Sequence, residues 1–138
     1  MANQKRLFLL DADGKEFNLL FARENQLIGD LSSPAKTKFN LSSIEKSIVY
    51  EIDNDKLERM NKGLSNSNSL GDYMRRSYIF LQNRLVDILS KSAEENYENL
   101  LKDNSELLNR LPQYHIASYL GISPEFLSKT IAKVVKKH

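Results

Sequence analysis

One stretch, Pro112 to Lys137, leaves the chain few ways to fold, because two short helical patterns meet there at a three-residue corner. Ile116, Ala117 and Leu120 give the first helix an apolar face. Gly121-Ile122-Ser123 is the corner: glycine suits the left-handed backbone such a turn needs, and Ile122 can drop into a core beneath it. The second helix has a strong start signal. Ser123 is placed to cap it, Pro124 brings a φ already helical, and Glu125 favours the positive end of the dipole. Leu127 and Ile131 continue the buried stripe, with Val134 or Val135 closing it. Lys129, Lys133, Lys136 and Lys137 are left for solvent or phosphate. Such a pair describes a helix-turn-helix, whose second helix enters the DNA major groove. An ordinary helical hairpin in a bundle is the alternative on spacing alone. Ala117, four residues before Gly121, lets the helices approach closely. With the capped second helix and its basic end, that spacing favours DNA.

The rest of the chain reads as sheet first and helix later. Arg6 to Leu10, a turn at Asp11-Ala12-Asp13-Gly14, and Glu16 to Phe21 predict a β-hairpin. Phe17, Leu19 and Phe21 alternate there with polar Glu16 and Asn18, as in a half-buried strand. Two more strands are expected, Lys38 to Ile44 and Ser47 to Ile52. Asp53 or Asn54 should cap a short helix through Met60, ended by Gly63. Four such strands cannot close a barrel. The expectation is therefore a chain shortened on its N-terminal side; pairing across a dimer is the alternative. Leu64 to Leu70 is a polar linker. A long helix follows, about 71–90, with Leu70, Met74, Ser77, Leu81, Leu85 and Ile88 as a seam and Tyr78, Val86 and Leu89 as a second apolar edge. Ser92-Ala93-Glu94-Glu95 is a capping box. It opens a helix to about Lys102 that buries Tyr97, Leu100 and Leu101, with a further helical turn from Ser105 to Arg110.

Charge is informative through its distribution. The net charge of +2 over 138 residues argues nothing about nucleic acid, but residues 111–138 carry four lysines against one glutamate. The absence of cysteine removes disulfides, thiol catalysis and cysteine-ligated iron–sulfur clusters. No apolar run approaches about 20 residues and no signal-peptide core opens the chain, so a cytoplasmic protein off the membrane is expected. An enzyme is not expected. His115 and His138 are the only histidines and neither has a partner at metal or triad spacing. His115 is expected on an exposed helix face. There is no Gly-rich phosphate loop and no nucleophile elbow, and Glu94-Glu95 belongs to a helix start.

The run GISPEFLSK, preceded by IASYL, resembles the helix-turn-helix of the Crp/Fnr superfamily of bacterial transcription regulators. AEENYENLLKDNSELLNRLP is similar to the segment joining that family's dimer helix to its DNA-binding domain, and GKEFNLLFARENQLIGDL to the later part of its cyclic-nucleotide-binding β-roll. The likeness runs through nearly the whole chain in the family's order. The first strands of the roll have no counterpart. It implies that the long helix dimerises, and that Glu125 and Lys129 read bases as an acidic and a basic residue commonly do in the family. Chemically, a glutamate accepts from cytosine N4 and a lysine donates to guanine O6 or N7. Ser128 and Lys133 are further candidates on the early, outward part of the helix. Gln113, Tyr114, Ser118 and Ser123 are candidates for phosphate contact. Pro124 stands where many members have a third polar reader, and Lys129 lacks the bidentate fork of the more usual arginine, so modest sequence specificity is expected. Thr130 occupies a usually apolar position, which implies looser packing. For a ligand, Gly29-Asp30 stands where the family has Gly-Glu, and Lys36-Thr37-Lys38 about where it has Arg-Ser. Lys36 or Lys38 could attract an anion only as a point charge. The expected ligand site is therefore vestigial.

The expected architecture is α+β. Residues 1–63 form a partial antiparallel, cyclic-nucleotide-binding-like β-roll, 64–91 the linker and dimerisation helix, and 92–138 a winged-helix-like helix-turn-helix domain. The expected function is transcription regulation by a homodimer on duplex DNA, with RNA polymerase a further partner and no cofactor. Its effector is unidentified, and cyclic nucleotide is not expected. The rival from another class is a dimeric protein–protein module with a vestigial ligand domain and no DNA binding.

Overall fold

The expected N-terminal hairpin forms around Asp11. Its carboxylate accepts from the N–H of Asp13 at 3.0 Å and of Lys15 at 2.9 Å, and Gly14 takes a φ of 80°, a conformation glycine adopts without strain. These contacts close strand β1 (Lys5–Leu10) against β2 (Glu16–Ala22). Strand β3 (Phe39–Ser43) lies antiparallel on the other side of β1, giving the order β2-β1-β3. This is a computed structural model, and it describes residues 4–30, 36–62 and 70–137. Among those residues the chain is α+β, with this three-stranded antiparallel sheet and five helices.

Two sequence expectations fail in the sheet. The register slips between Leu7 and Phe8, which pair with Leu20 and Asn18, so Leu19 is the extra residue of a β-bulge. The simple alternation breaks there: Phe17 is exposed and Asn18 is 3% exposed. The strand expected at Ser47 to Ile52 is also absent. After Ser43 the Ile44 N–H donates to the Gln4 carbonyl at 3.0 Å. Glu45 is then gripped by Arg110 through two parallel bonds of 2.9 and 3.2 Å. The chain is drawn off the sheet, and Ile48, Val49 and Tyr50 stay exposed despite their strand-like composition.

Helix α1 (Asn54–Asn61) is capped by Asp53, whose carboxylate accepts from the Lys56 N–H; its expected stop, Gly63, lies outside the described residues, as do Ser65 to Ser69 of the linker. Helix α2 (Leu70–Ser90) buries no residue fully. Helix α3 (Ala93–Arg110) opens with the expected capping box between Ser92 and Glu95. Asn104 leaves helical geometry at φ −148°, ψ 46°, where the sequence places a break between two helical runs. Helices α4 (Gln113–Leu120) and α5 (Pro124–Lys137) follow. Tyr97, Leu107, Leu108, Leu111, Ile116 and Leu127 dominate the core, and Phe21 and Ile44 from the sheet side pack against it.

Gln4 is completely buried, and neither polar atom of its side chain finds a partner among the described residues. An unpaired buried amide costs about 1–3 kcal/mol. Gln4→Leu, of similar volume, should therefore raise the unfolding free energy by about 1 kcal/mol in urea titration; a loss of stability would show that the amide has a partner after all.

Candidate nucleic-acid interface

The corner between α4 and α5 is built by backbone geometry. Gly121 sits at φ 71°, ψ 24°. Its N–H donates to the Ser118 carbonyl at 3.2 Å, and the Ile122 N–H donates to the Ala117 carbonyl at 3.0 Å. This pair of bonds is the Schellman arrangement that ends a helix through a left-handed residue. A Cβ at Gly121 would meet nothing within 4 Å, so the requirement there is for φ and not for space. Ala117 is fully buried, as close helix approach requires.

The start of α5 follows the sequence signals. The Ser123 hydroxyl accepts from the Phe126 N–H at 3.1 Å, and its carbonyl accepts from the Leu127 N–H at 2.9 Å. Leu127, Thr130 and Val134 face inward, with Ile131 half-buried. Thr130 is tightly packed, contrary to expectation: it is 2% exposed and its hydroxyl donates to the Phe126 carbonyl at 2.9 Å. At about 100° per residue, the opposite side of α5 is a stripe of Glu125, Ser128, Lys129, Ala132 and Lys136, all exposed.

Within that stripe the charges differ in availability. The Glu125 carboxyl is held below its ordinary value by its own backbone N–H, then by the Ser123 hydroxyl and the Lys129 ammonium. It is an ionised acceptor at neutral pH. Lys129 and Lys136 have no carboxylate within ion-pair distance among the described residues. Lys133 and Lys137, by contrast, are turned toward α3, where they meet Glu94 at 2.7 Å and Glu98 at 3.1 Å. Lys133 therefore sits on the flank of the stripe. Ser128 donates back to the Pro124 carbonyl at 3.1 Å and keeps its acceptor lone pairs outward. Gln113 and Tyr114 are exposed in the first turn of α4.

Ser118 and His115 depart from the sequence reading, because β2 covers that face of α4. The Ser118 hydroxyl donates to the Glu16 carbonyl at 2.7 Å and accepts from the Asn18 N–H at 2.9 Å. It is engaged inside the protein and does not serve the open face. His115 is 4% exposed; the Asn18 side-chain amide lies 3.3 Å from both its Nδ1 and its carbonyl oxygen. Asn18 also accepts from Arg6, which pairs with Glu16. No sequence spacing announces these partners, which are about a hundred residues apart.

Burial, and secondarily the Arg6 charge, push the His115 pKa below its ordinary 6.5, with Glu16 opposing. The sign follows from proton counting. Between the two values the unfolded chain binds a proton that the folded chain refuses, so stability is complete above about pH 6.5 and declines as pH falls below it. The melting temperature should fall from pH 7 to pH 5.5, above the carboxylate range, and His115→Gln should flatten that dependence. A profile unchanged by the substitution would place the titration elsewhere.

Arg84 joins α2 to this arrangement. Its guanidinium donates to the carbonyls of Leu19 (2.7 Å), Asn18 (3.2 Å) and Tyr119, and lies 3.8 Å over the Tyr119 ring. One side chain thus ties the long helix to the sheet and to the last turn of α4. Beside it a cleft of about 360 Å³ separates α2 from α3.

The four ligand candidates flank residues 31–35, which lie outside the described residues. The Thr37 hydroxyl donates to the Asp30 carboxylate at 2.6 Å. Lys36 and Lys38 are exposed, with the Lys38 ammonium 5.6 Å over the Phe39 ring. A larger cleft of about 530 Å³, between β2 and α2, is lined by other residues, including Phe21, Leu27, Tyr73 and Phe80, and not by Gly29, Asp30, Lys36 or Lys38.

On α2 Met74, Tyr78, Leu85 and Leu89 form one exposed apolar stripe with Val86 beside it, and Ile79, Phe80 and Ile88 are exposed elsewhere on the helix. Leu70, Ser77 and Leu81, expected in the seam, are half-buried instead against the chain's own body. No helix among the described residues is long and apolar enough to cross a membrane. No known family model matches the chain, and no curated protein is significantly similar to it.

Proposed function

We propose that this chain is a DNA-binding transcription regulator of the Crp/Fnr type, in which α5 enters the major groove of duplex DNA. The observation that carries the reading is the outward stripe of α5. It offers an ionised acceptor at Glu125, two uncommitted ammonium groups at Lys129 and Lys136, and a small residue at Ala132 where a groove floor would approach. The αL corner at Gly121 sets the angle at which this helix leaves α4. Lys129 and Lys136 would contribute the sequence-independent phosphate attraction, and Glu125, Ser128 and Lys129 the discrimination.

The exposed stripe of α2 supports a homodimer. Exposed apolar residues four and seven apart, at Met74, Tyr78, Leu85 and Leu89, suit a two-helix seam. Twofold symmetry then places two copies of α5 in successive major grooves, about 34 Å apart. A second reading, a dimeric interaction module that does not touch DNA, is favoured by the engagement of Lys133 and Lys137 with α3, which halves the free lysines of α5.

Hydroxyl-radical footprinting on a duplex enriched from a random pool separates the two. The regulator reading expects two protected patches on one face of the duplex, about one helical turn apart. Carrying Leu85→Asp with Leu89→Asp should reduce them to one weak patch, because the stripe of α2 no longer pairs. No protection by a folded, dimeric protein would leave the interaction module standing.

A further inference from the structure

Helix α5 carries an inversion that its packing does not account for. Thr130 takes a position 2% exposed, while Phe126, one turn earlier, is left 50% exposed. The Phe126 ring makes no contact with another ring or with a cation among the described residues. A single exposed apolar residue on a protein surface is ordinary. Here, however, the residue stands in the first turn of the helix proposed to read bases, directly after Glu125 and three before Lys129. At about 100° per residue it lies beside the polar stripe, on the flank shared with Lys133. First-turn residues of such a helix reach furthest into the groove. The major-groove feature that an aromatic side chain can recognise there is the methyl group on pyrimidine C5.

We propose that Phe126 is a specificity-determining residue that packs against the C5-methyl of a pyrimidine, carried by thymine or by 5-methylcytosine. This rests on the DNA-reading function proposed above. The site recognised by one protomer would then combine a C·G pair, read by Glu125 and Lys129, with a neighbouring methyl-bearing pyrimidine. The contact would supply a discrimination that Pro124 cannot supply as a polar reader.

The test uses the full chain and the duplex that it enriches from a random pool. Each thymidine is replaced singly by deoxyuridine, which removes the methyl group and leaves the base pair intact. Affinity should fall about fourfold, the value of one buried methyl group, at one position per half-site. It should fall with wild-type protein, less with Phe126→Leu, and not at all with Phe126→Ser. At that position a duplex carrying 5-methylcytosine should bind better than one carrying cytosine, while a preference for thymine over both would assign the contact to thymine alone. Because Phe126 is outside the core, Phe126→Ser should melt like wild type, which keeps the comparison free of folding effects. Binding insensitive to every deoxyuridine, or equally sensitive with Phe126→Ser, would overturn this inference and leave the DNA-reading function intact. Failure to enrich any duplex would overturn both.

Discussion

Leu127→Ala is expected to lower the unfolding free energy by about 3 kcal/mol, within the range of about 2–5 kcal/mol for deleting a buried leucine. Leu127 is fully buried and belongs to the cluster that joins α3, α4 and α5. The change removes apolar contact and leaves a cavity at the point where both helices of the corner meet. A domain of this size holds only about 5–15 kcal/mol in all, so the loss is a large share. Phe126→Ser, one residue away, should shift the same urea transition by less than about 0.5 kcal/mol. That contrast between neighbours is a direct check on the rotation of α5 about its axis. A Leu127→Ala variant as stable as Phe126→Ser would mean that α5 does not present the face described.

What the sequence made legible was local. The αL glycine, the Ser123 cap, the Ser92–Glu95 capping box and the break near Asn104 each depend on residues within one turn of one another, and all appear in the structure. What stayed hidden depends on distant partners. His115 looks like a surface residue until β2 is laid on α4, because Asn18, its partner, is 97 positions away. The strand expected at Ser47 to Ile52 has the right composition, and Arg110, 65 positions from Glu45, pulls the chain aside. The same holds within the candidate interface. Glu125 and Lys129 could be singled out from spacing, whereas the retirement of Lys133 and Lys137 to Glu94 and Glu98 needs the docking of α5 on α3. On α2 the periodicity was clear but its rotation was not. Residues of both expected edges face outward, Met74, Leu85 and Ile88 from one and Tyr78, Val86 and Leu89 from the other, while Tyr73 bonds the Leu27 carbonyl and Arg84 those of Leu19 and Asn18.

These docking contacts also make the proposed function sharper than the lysine count alone. Four lysines close the chain, yet among the described residues only Lys129 and Lys136 of these four lack a carboxylate at ion-pair distance. Charge reversal should therefore separate them. Lys129→Glu replaces a proposed base contact by a repulsive charge beside Glu125. An expected loss of roughly 3 kcal/mol, about a hundredfold in affinity, follows from one base contact removed and one charge reversed. Lys133→Glu, by comparison, breaks an exposed ion pair of small value and should cost less than about tenfold.

The most direct measurement is fluorescence anisotropy of the wild-type chain, Lys129→Glu and Lys133→Glu on an enriched duplex at two salt concentrations. If α5 reads the major groove, wild-type binding weakens steeply with salt, Lys129→Glu nearly abolishes it, and Lys133→Glu retains most of it. Salt-insensitive binding, or equal losses in the two variants while both stay folded, would contradict the placement of α5 in the groove.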